Sequence, residues 1–139
     1  MRFIDANVFI YAVLKLKREL SERERGIKNA SKEIFKRVNE GEEVVTTVVH
    51  LSEVANVLED AGGLSFAISF IRDIFLKRNV QVEAVSDKDY MESVLFSEEK
   101  GVSINDALAY ISMERRGIRE IYTFDKHFEN LGDVKVINY

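Results

Sequence analysis

Residues 44–58, VVTTVVHLSEVANVL, decide the fold, because a strand runs directly into a helix within them. The first half is β-branched and almost continuously apolar, which is typical of a strand covered on both faces, and we predict a strand over 43–49. Apolar residues over 51–58 then recur at the three- and four-residue steps of an amphipathic helix, which glycines 62–63 end. A buried strand followed by a helix favours a parallel sheet.

The same alternation continues through the chain. The predicted strands are RFID (2–5), EVVTTVV (43–49), VQVEAV (80–85), REIYTF (119–124) and VKVINY (134–139). Helices are predicted between them, and DKHFENL (125–131) is a turn or short helix. The order predicts an α/β fold, with a mainly parallel central sheet between helical layers. Widely spread apolar residues over 64–78 predict a deeply buried helix there, with a partner interface as the alternative.

Composition limits the function classes. The 139 residues predict one domain over 1–139, and the 46% hydrophobic fraction fits a globular chain. The apolar run 8–14 is too short to span a membrane, and we expect a cytoplasmic protein. The absence of Cys excludes thiolate catalysis and Cys-based zinc sites. A net charge of −4 argues against coating nucleic acid by bulk charge. The basic residues of 15–28 and 115–119 are interpreted as solvated helix faces, with a local basic face for nucleic acid as the alternative.

Four carboxylates are predicted to lie at one edge of the sheet. In open parallel sheets, sites form beyond the carboxyl ends of the strands. Asp5 and Asp125 follow strands, whereas Glu53 and Asp106 are placed in the opening turns of helices. Each has a structural alternative as a helix cap, a turn residue or an acid near the helix dipole. Asp106 in particular follows Ser103 at the spacing of a capping box.

Convergence of four carboxylates predicts a metal ion among them. Like charges this close raise each other's pKa unless a cation separates them. Oxygen ligands suit Mg²⁺ or Mn²⁺, which can activate water and neutralise charge on a phosphoryl oxygen. Phosphodiester hydrolysis is the chemistry this predicts. His50 and His127 lack a partner at the spacing of a histidine metal motif and are given no role.

The four acidic motifs together resemble those of the PIN-domain ribonucleases, and more narrowly the small VapC-type toxins. The motifs are FIDANVFIY, VVTTVVHLSEVANVL, SINDALAYI and IYTFDKHF. The resemblance implies a three-layer α/β/α sandwich and metal-dependent RNA cleavage that leaves a 5′-phosphate and a 3′-hydroxyl. It implies that Asp5 and Asp106 bind Mg²⁺ or Mn²⁺ directly. Glu53 and Asp125 are then implied to act through water, at a second metal or on the attacking water.

Further residues and partners are implied with less specificity. Asn7, Asn105 and Thr123 are secondary candidates for the site, followed by Ser52 and Thr47. A VapC-type toxin implies a homodimer, an RNA substrate and a cognate antitoxin. An RNA-processing PIN nuclease and a non-catalytic PIN-like binding module remain open. A haloacid-dehalogenase-like phosphatase is disfavoured, because Asn7 stands where its second acid is required.

Overall fold

The computed structural model describes residues 1–138, and strands alternate with helices along them. The elements in chain order are β1 Arg2–Ile4, α1 Ala6–Val13, α2 Glu22–Asn39, β2 Val44–Thr47, α3 Val48–Gly62, α4 Leu64–Leu76, β3 Val80–Glu83, α5 Asp87–Lys100, α6 Ile104–Arg116, β4 Glu120–Tyr122, a 3₁₀ helix Lys126–Asn130 and β5 Lys135–Ile137. Tyr139, the last residue of the strand predicted over 134–139, lies outside the described residues.

All strand pairs are parallel, in the order β3-β2-β1-β4-β5. The chain builds the sheet in one direction from β1 to β3 and then crosses back to place β4 on the other side of β1. The order therefore reverses between β1 and β4. In open α/β sheets this switch point is where ligands bind, because the loops that leave the two strands diverge there.

Successive residues of the central strands point to opposite faces of the sheet, and each face carries its own hydrophobic core. One core packs the sheet against α1, α2, α3 and α4, and the other packs it against α6 and the 3₁₀ helix. The alternation is seen in the adjacent pairs Phe3/Ile4, Val45/Val44 and Ile121/Tyr122, in which the first residue faces the α6 side. The predicted three-layer α/β/α sandwich with a parallel sheet is confirmed.

The strand predicted over 43–49 is too long at its carboxyl end. The hydroxyl of Thr47 accepts a hydrogen bond from the backbone N–H of His50 at 3.1 Å and caps α3. Val48 and Val49 are therefore helical despite their β-branched side chains. A local cap decides the boundary here more strongly than intrinsic propensity does.

The helix predicted to be deeply buried over 64–78 is only partly so. In α4, the residues Ala67, Phe70 and Ile74 are buried, at the spacing of a single helical stripe. The large apolar residues on its other faces are exposed: Leu64, Phe66, Ile68, Phe75 and Leu76. The reason is its position, since α4 packs against α3 at the outside of the helical layer and is covered on one side only.

None of the helices in residues 1–138 is both long and apolar enough to cross a membrane.

Asn79 joins the end of α2 to the start of β3, which gives a test of the fold. Its side-chain amide donates to the carbonyls of Val38 and Glu42, each at 2.7 Å. In Asn79→Ala both carbonyls lose this donor, and we expect the free energy of unfolding to fall by about 1–3 kcal/mol. Urea denaturation measures the change. The exposed Asn130→Ala is the control, and an equal effect in both variants would contradict the role of Asn79.

Candidate active site

Asp5 is held at the switch point by bonds to both of its carboxylate oxygens. It directly follows β1 and caps α1, and Oδ1 accepts from the backbone N–H of Ala6 at 2.8 Å. Because β4 pairs with β1, Thr123 follows the neighbouring strand, and its hydroxyl donates to Asp5 Oδ2 at 2.8 Å. The carboxylate is only 6% exposed. Burial raises its pKa to about 6 against the effect of these hydrogen bonds, and the charge of Asp125 adds to the rise.

Asp106 forms only one of the two hydrogen bonds of a capping box. Its backbone N–H donates to the Ser103 hydroxyl at 3.1 Å. At the two complete boxes, Ser21 with Glu24 and Ser86 with Asp89, the acid also accepts from the N-cap backbone. No such return bond to Ser103 is formed among the described residues. The Asp106 carboxylate therefore contributes to the acidic site rather than completing the cap.

Asp125 brings the third carboxylate to the same place. Its backbone N–H donates to Thr123 Oγ1 at 3.1 Å, so one hydroxyl orders the positions of both Asp5 and Asp125. Burial first, and then the neighbouring Asp125 and Asp5, raise the pKa of Asp106 to about 8. Two acids from separate segments thus favour a protonated Asp106 when no cation is present.

His127 belongs to this cluster, although no role was predicted for it from its spacing in the sequence. Its Nδ1 lies 3.1 Å from Asp125 Oδ1 and 4.0 Å from Asp106 Oδ2. Asp106, Asp125 and His127 each offer one ligand atom within 4.8 Å of the others. The 3₁₀ helix causes the approach, because its first turn is capped by Asp125 and folds the ring back towards that carboxylate. The turn or short helix predicted over 125–131 is the one sequence feature that could have indicated that His127 approaches Asp125.

Glu53 stands beside the cluster rather than within it. It lies in the second turn of α3, not in the opening turn as predicted, because α3 begins at Val48. Glu53 is therefore too far from the start of α3 to act as an acid near the helix dipole. Asn105 Nδ2 donates to Glu53 Oε1 at 2.9 Å, and Asn105 is the neighbour of Asp106 in α6. The predicted secondary residue Asn105 thus links the fourth acid to the other three.

A neutral His50 fixes Asn105 in turn. The Thr47 hydroxyl accepts from the His50 backbone, so its own proton is available to His50 Nδ1, 2.7 Å away. His50 Nε2–H then donates to the Asn105 carbonyl at 3.1 Å. Burial lowers the pKa of His50 to about 4, which keeps the ring neutral. It lies 3.9 Å from Asp5 Oδ1 without adding a positive charge to the site.

Asn7 supplies an oxygen without a protein partner. Its Nδ2 donates to Thr123 Oγ1 at 3.4 Å, which places the amide beside the residue that holds Asp5. Its Oδ1 is buried and accepts no hydrogen bond within residues 1–138. Such an atom normally has a partner, because leaving it unpaired costs about 1–3 kcal/mol.

The donor set fits a hard divalent cation. Carboxylate and amide oxygens with one imidazole nitrogen suit Mg²⁺ or Mn²⁺. Burial first, and then repulsion between the acids, raise the pKa values of Asp5 and Asp106, and a bound cation would favour their ionised forms. Ser52 lies apart from the cluster, on an exposed face of α3. The other weak candidate, Thr47, acts through His50 as described above.

Comparisons with known proteins agree with this architecture. The PIN domain family model matches residues 2–134. Mycobacterium tuberculosis VapC20, described as a Sarcin-Ricin loop cleaving toxin, has a similar structure, with a TM-score of 0.73, 21% identity and 100% coverage of both chains. A toxin-antitoxin complex from Klebsiella pneumoniae matches with a TM-score of 0.64 and 13% identity, over 97% of this chain and 96% of that one.

VapBC2 from Rickettsia felis, bound to a DNA fragment from its promoter, matches with a TM-score of 0.63 and 16% identity, over 98% of this chain and 96% of that one. Because these sequence identities are low, the structural similarity shows a shared fold and not a shared activity. The comparison with curated proteins found no match. Because the family model spans nearly all of the 139 residues, this chain belongs to the PIN domain family.

Proposed function

We propose that this protein is a Mg²⁺- or Mn²⁺-dependent ribonuclease and the toxin of a VapBC-type toxin–antitoxin pair. The observation that carries the proposal is the convergence of Asp5, Asp106 and Asp125, two of them with strongly raised pKa values, at the switch point of the sheet. A purely structural role does not account for three carboxylates placed in mutual repulsion. A cation bound among the three carboxylates, with a phosphate attracted to that cation, accounts for their placement.

The proposed roles follow from the contacts of each residue. Asp5 and Asp106 would hold the metal directly, with Asp125 and Glu53 acting through water or at a second ion, and His127 within reach as a nitrogen ligand. When bound, the metal would supply charge neutralisation at a phosphoryl oxygen and a more acidic water. Thr123 orients Asp5, and Asn105 orients Glu53, so both acids are fixed before RNA arrives.

The toxin assignment is supported by the similar structures, which include a toxin described as loop-cleaving and two complexes with antitoxins. By analogy we expect a homodimer, a cognate antitoxin and a cytoplasmic site of action. An RNA-processing PIN nuclease shares the chemistry but lacks the antitoxin. A binding module with this fold would not cleave RNA, although it could retain the four acidic residues.

We expect the cleavage of RNA to depend on a divalent metal. Wild-type protein should cut single-stranded RNA with Mg²⁺ or Mn²⁺ and not with EDTA. Asp5→Asn and Asp106→Asn should each lose at least about 100-fold of the rate, because each removes a charged metal ligand while keeping the side-chain size. Labelled RNA resolved on a gel gives the rate, and circular dichroism checks folding.

Asp60→Asn is the matched control, since it changes an exposed carboxylate of α3 outside the site. It should cut like the wild type. Full activity in a folded Asp106→Asn variant would show that Asp106 is not a metal ligand.

We expect the stability of the metal-free protein to depend on pH. Asp106 binds its proton more tightly when folded, with a pKa of about 8 against the ordinary 3.8, so its contribution to stability is lost as pH rises through 8. Below about pH 6.5 two other groups also titrate: His50, with its pKa lowered to about 4, makes stability rise with pH, and Asp5, with its pKa raised to about 6, makes it fall. Between pH 6.5 and 8 we therefore expect stability without metal to fall, by at most about 1.4 kcal/mol per pH unit.

Urea denaturation at fixed ionic strength measures this slope. Saturating Mn²⁺ should abolish it, because the cation favours the ionised form of Asp106. Asp106→Asn should abolish it without metal. A slope that persists in Asp106→Asn would assign it to another group.

Expression in a bacterial host separates a toxin from an RNA-processing enzyme. Induced expression in a bacterial host should stop growth, whereas Asp5→Asn should not, because only the active nuclease degrades host RNA. Growth curves and viable counts measure the effect. Coexpression of a small protein encoded beside the gene should restore growth and copurify with the toxin; normal growth with an active wild-type nuclease would favour the processing enzyme.

A further inference from the structure

We propose that a cleft beside Glu53 binds one nucleobase of the RNA and prefers guanine. This inference rests on the proposed ribonuclease function and names a part of the substrate that the acidic cluster does not contact. The cleft has a volume of about 460 Å³ and lies between α3 and the segment that joins β3 to α5. Its lining includes Val49, Ser52, Glu53, Val85, Tyr90 and Asn105.

The position of the cleft connects it to the acids. Glu53 and Asn105 form one wall, and Asn105 precedes Asp106 in the chain. The Tyr90 hydroxyl donates to Asn105 Oδ1 at 3.4 Å, and Asn105 Nδ2 donates to Glu53 Oε1 at 2.9 Å. These three side chains form one hydrogen-bonded row along the cleft, and the cleft meets the acidic cluster where Asn105 adjoins Asp106. A base in it would belong to a nucleotide next to the phosphate that is cut.

The lining suits a flat heteroaromatic ring. Val49, Val85 and the ring of Tyr90 are apolar, whereas the remaining lining side chains are hydrogen-bonding groups. Stacking of a base on an aromatic side chain is a general mode of single-strand recognition. The volume accommodates a base with part of its ribose.

Charge selects which part of the nucleotide enters. The lining contains the carboxylates of Glu53 and Asp87 and no Lys or Arg, so a phosphate would be repelled. A second cleft of about 440 Å³, beside Asp125 in the chain, is lined by two cations, Arg23 and Lys126, and by one carboxylate, Glu129. Neither cation has an ion-pair partner within the described part of the chain. The backbone is expected to follow that side, leaving the base for the Glu53 cleft.

The free acceptor on the rim determines the preferred base. One oxygen of the Glu53 carboxylate already accepts from Asn105, whereas the exposed carboxylate of Asp87 has no hydrogen bond or ion pair among residues 1–138. Guanine presents two adjacent N–H donors on its Watson–Crick edge, which a carboxylate can accept together. Uracil presents one N–H between two carbonyl oxygens, and these would face the carboxylate. The geometry thus favours guanine over uracil.

The test uses free nucleosides, so that it does not depend on cleavage. Guanosine and uridine are titrated at matched concentrations into the isotope-labelled protein with Mg²⁺, and amide chemical shifts are followed by NMR. Guanosine should shift the signals of Val49, Val85 and Tyr90, with an affinity about tenfold above that of uridine. Asp87→Asn should reduce that ratio severalfold, and Asp73→Asn, an exposed acid on α4, should leave it unchanged.

Two neighbouring valines give a matched pair for the cleft itself. Val49→Trp should fill the cleft and abolish the guanosine shifts, whereas Val48→Trp, on the exposed side of the same helical turn, should not. Equal shifts for both nucleosides, or shifts away from the cleft, would overturn the inference. So would equal losses in the two Trp variants. If the protein binds guanosine in this cleft but cuts no RNA, the base-binding inference stands and the ribonuclease proposal fails. The two failures are therefore distinguishable.

Discussion

The convergence of Asp5, Asp106 and Asp125 is the constraint on which the rest of the site depends. The parallel pairing of β1 with β4 brings Asp5 next to Thr123, and the Thr123 hydroxyl then orders Asp5 and the backbone of Asp125 together. The pKa values of Asp5 and Asp106 are raised, so this arrangement costs stability at neutral pH in the absence of a cation. Such a cost is expected where a site is built for binding rather than for folding.

The polar residues around the acids form a rigid support. The neutral imidazole of His50 accepts from Thr47 and donates to the Asn105 carbonyl, which ties the start of α3 to the first turn of α6. A charged side chain in this fully buried position would require a partner, and an apolar one would leave the Asn105 carbonyl without its donor. Neutral histidine meets both requirements, and its lowered pKa keeps it neutral across the physiological range.

The order of strands and helices could be predicted because the patterns that mark them are local. Glycines and capping residues lie at most element ends, and each acid stands at a fixed distance from a strong strand or helix pattern. Features that depend on packing could not be predicted. The exposure of half of α4 follows from its place outside α3, and an apolar composition does not reveal how many sides are covered. His127 approaches Asp125 only because the 3₁₀ helix closes on that acid, and no residue spacing typical of a metal motif signals this approach.

The distribution of charge along the chain is compatible with the proposed RNA substrate. Arg2, Arg18, Arg115, Arg116 and Arg119 are held in ion pairs with neighbouring acids, so much of the basic composition is neutralised within the fold. Arg23 and Lys126 differ, because they line a common cleft next in sequence to the acidic cluster. Attraction of a phosphate backbone needs only such a local field together with a bound cation, and it does not need a basic protein. A net charge of −4 therefore limits non-specific binding to nucleic acid without opposing the proposed reaction.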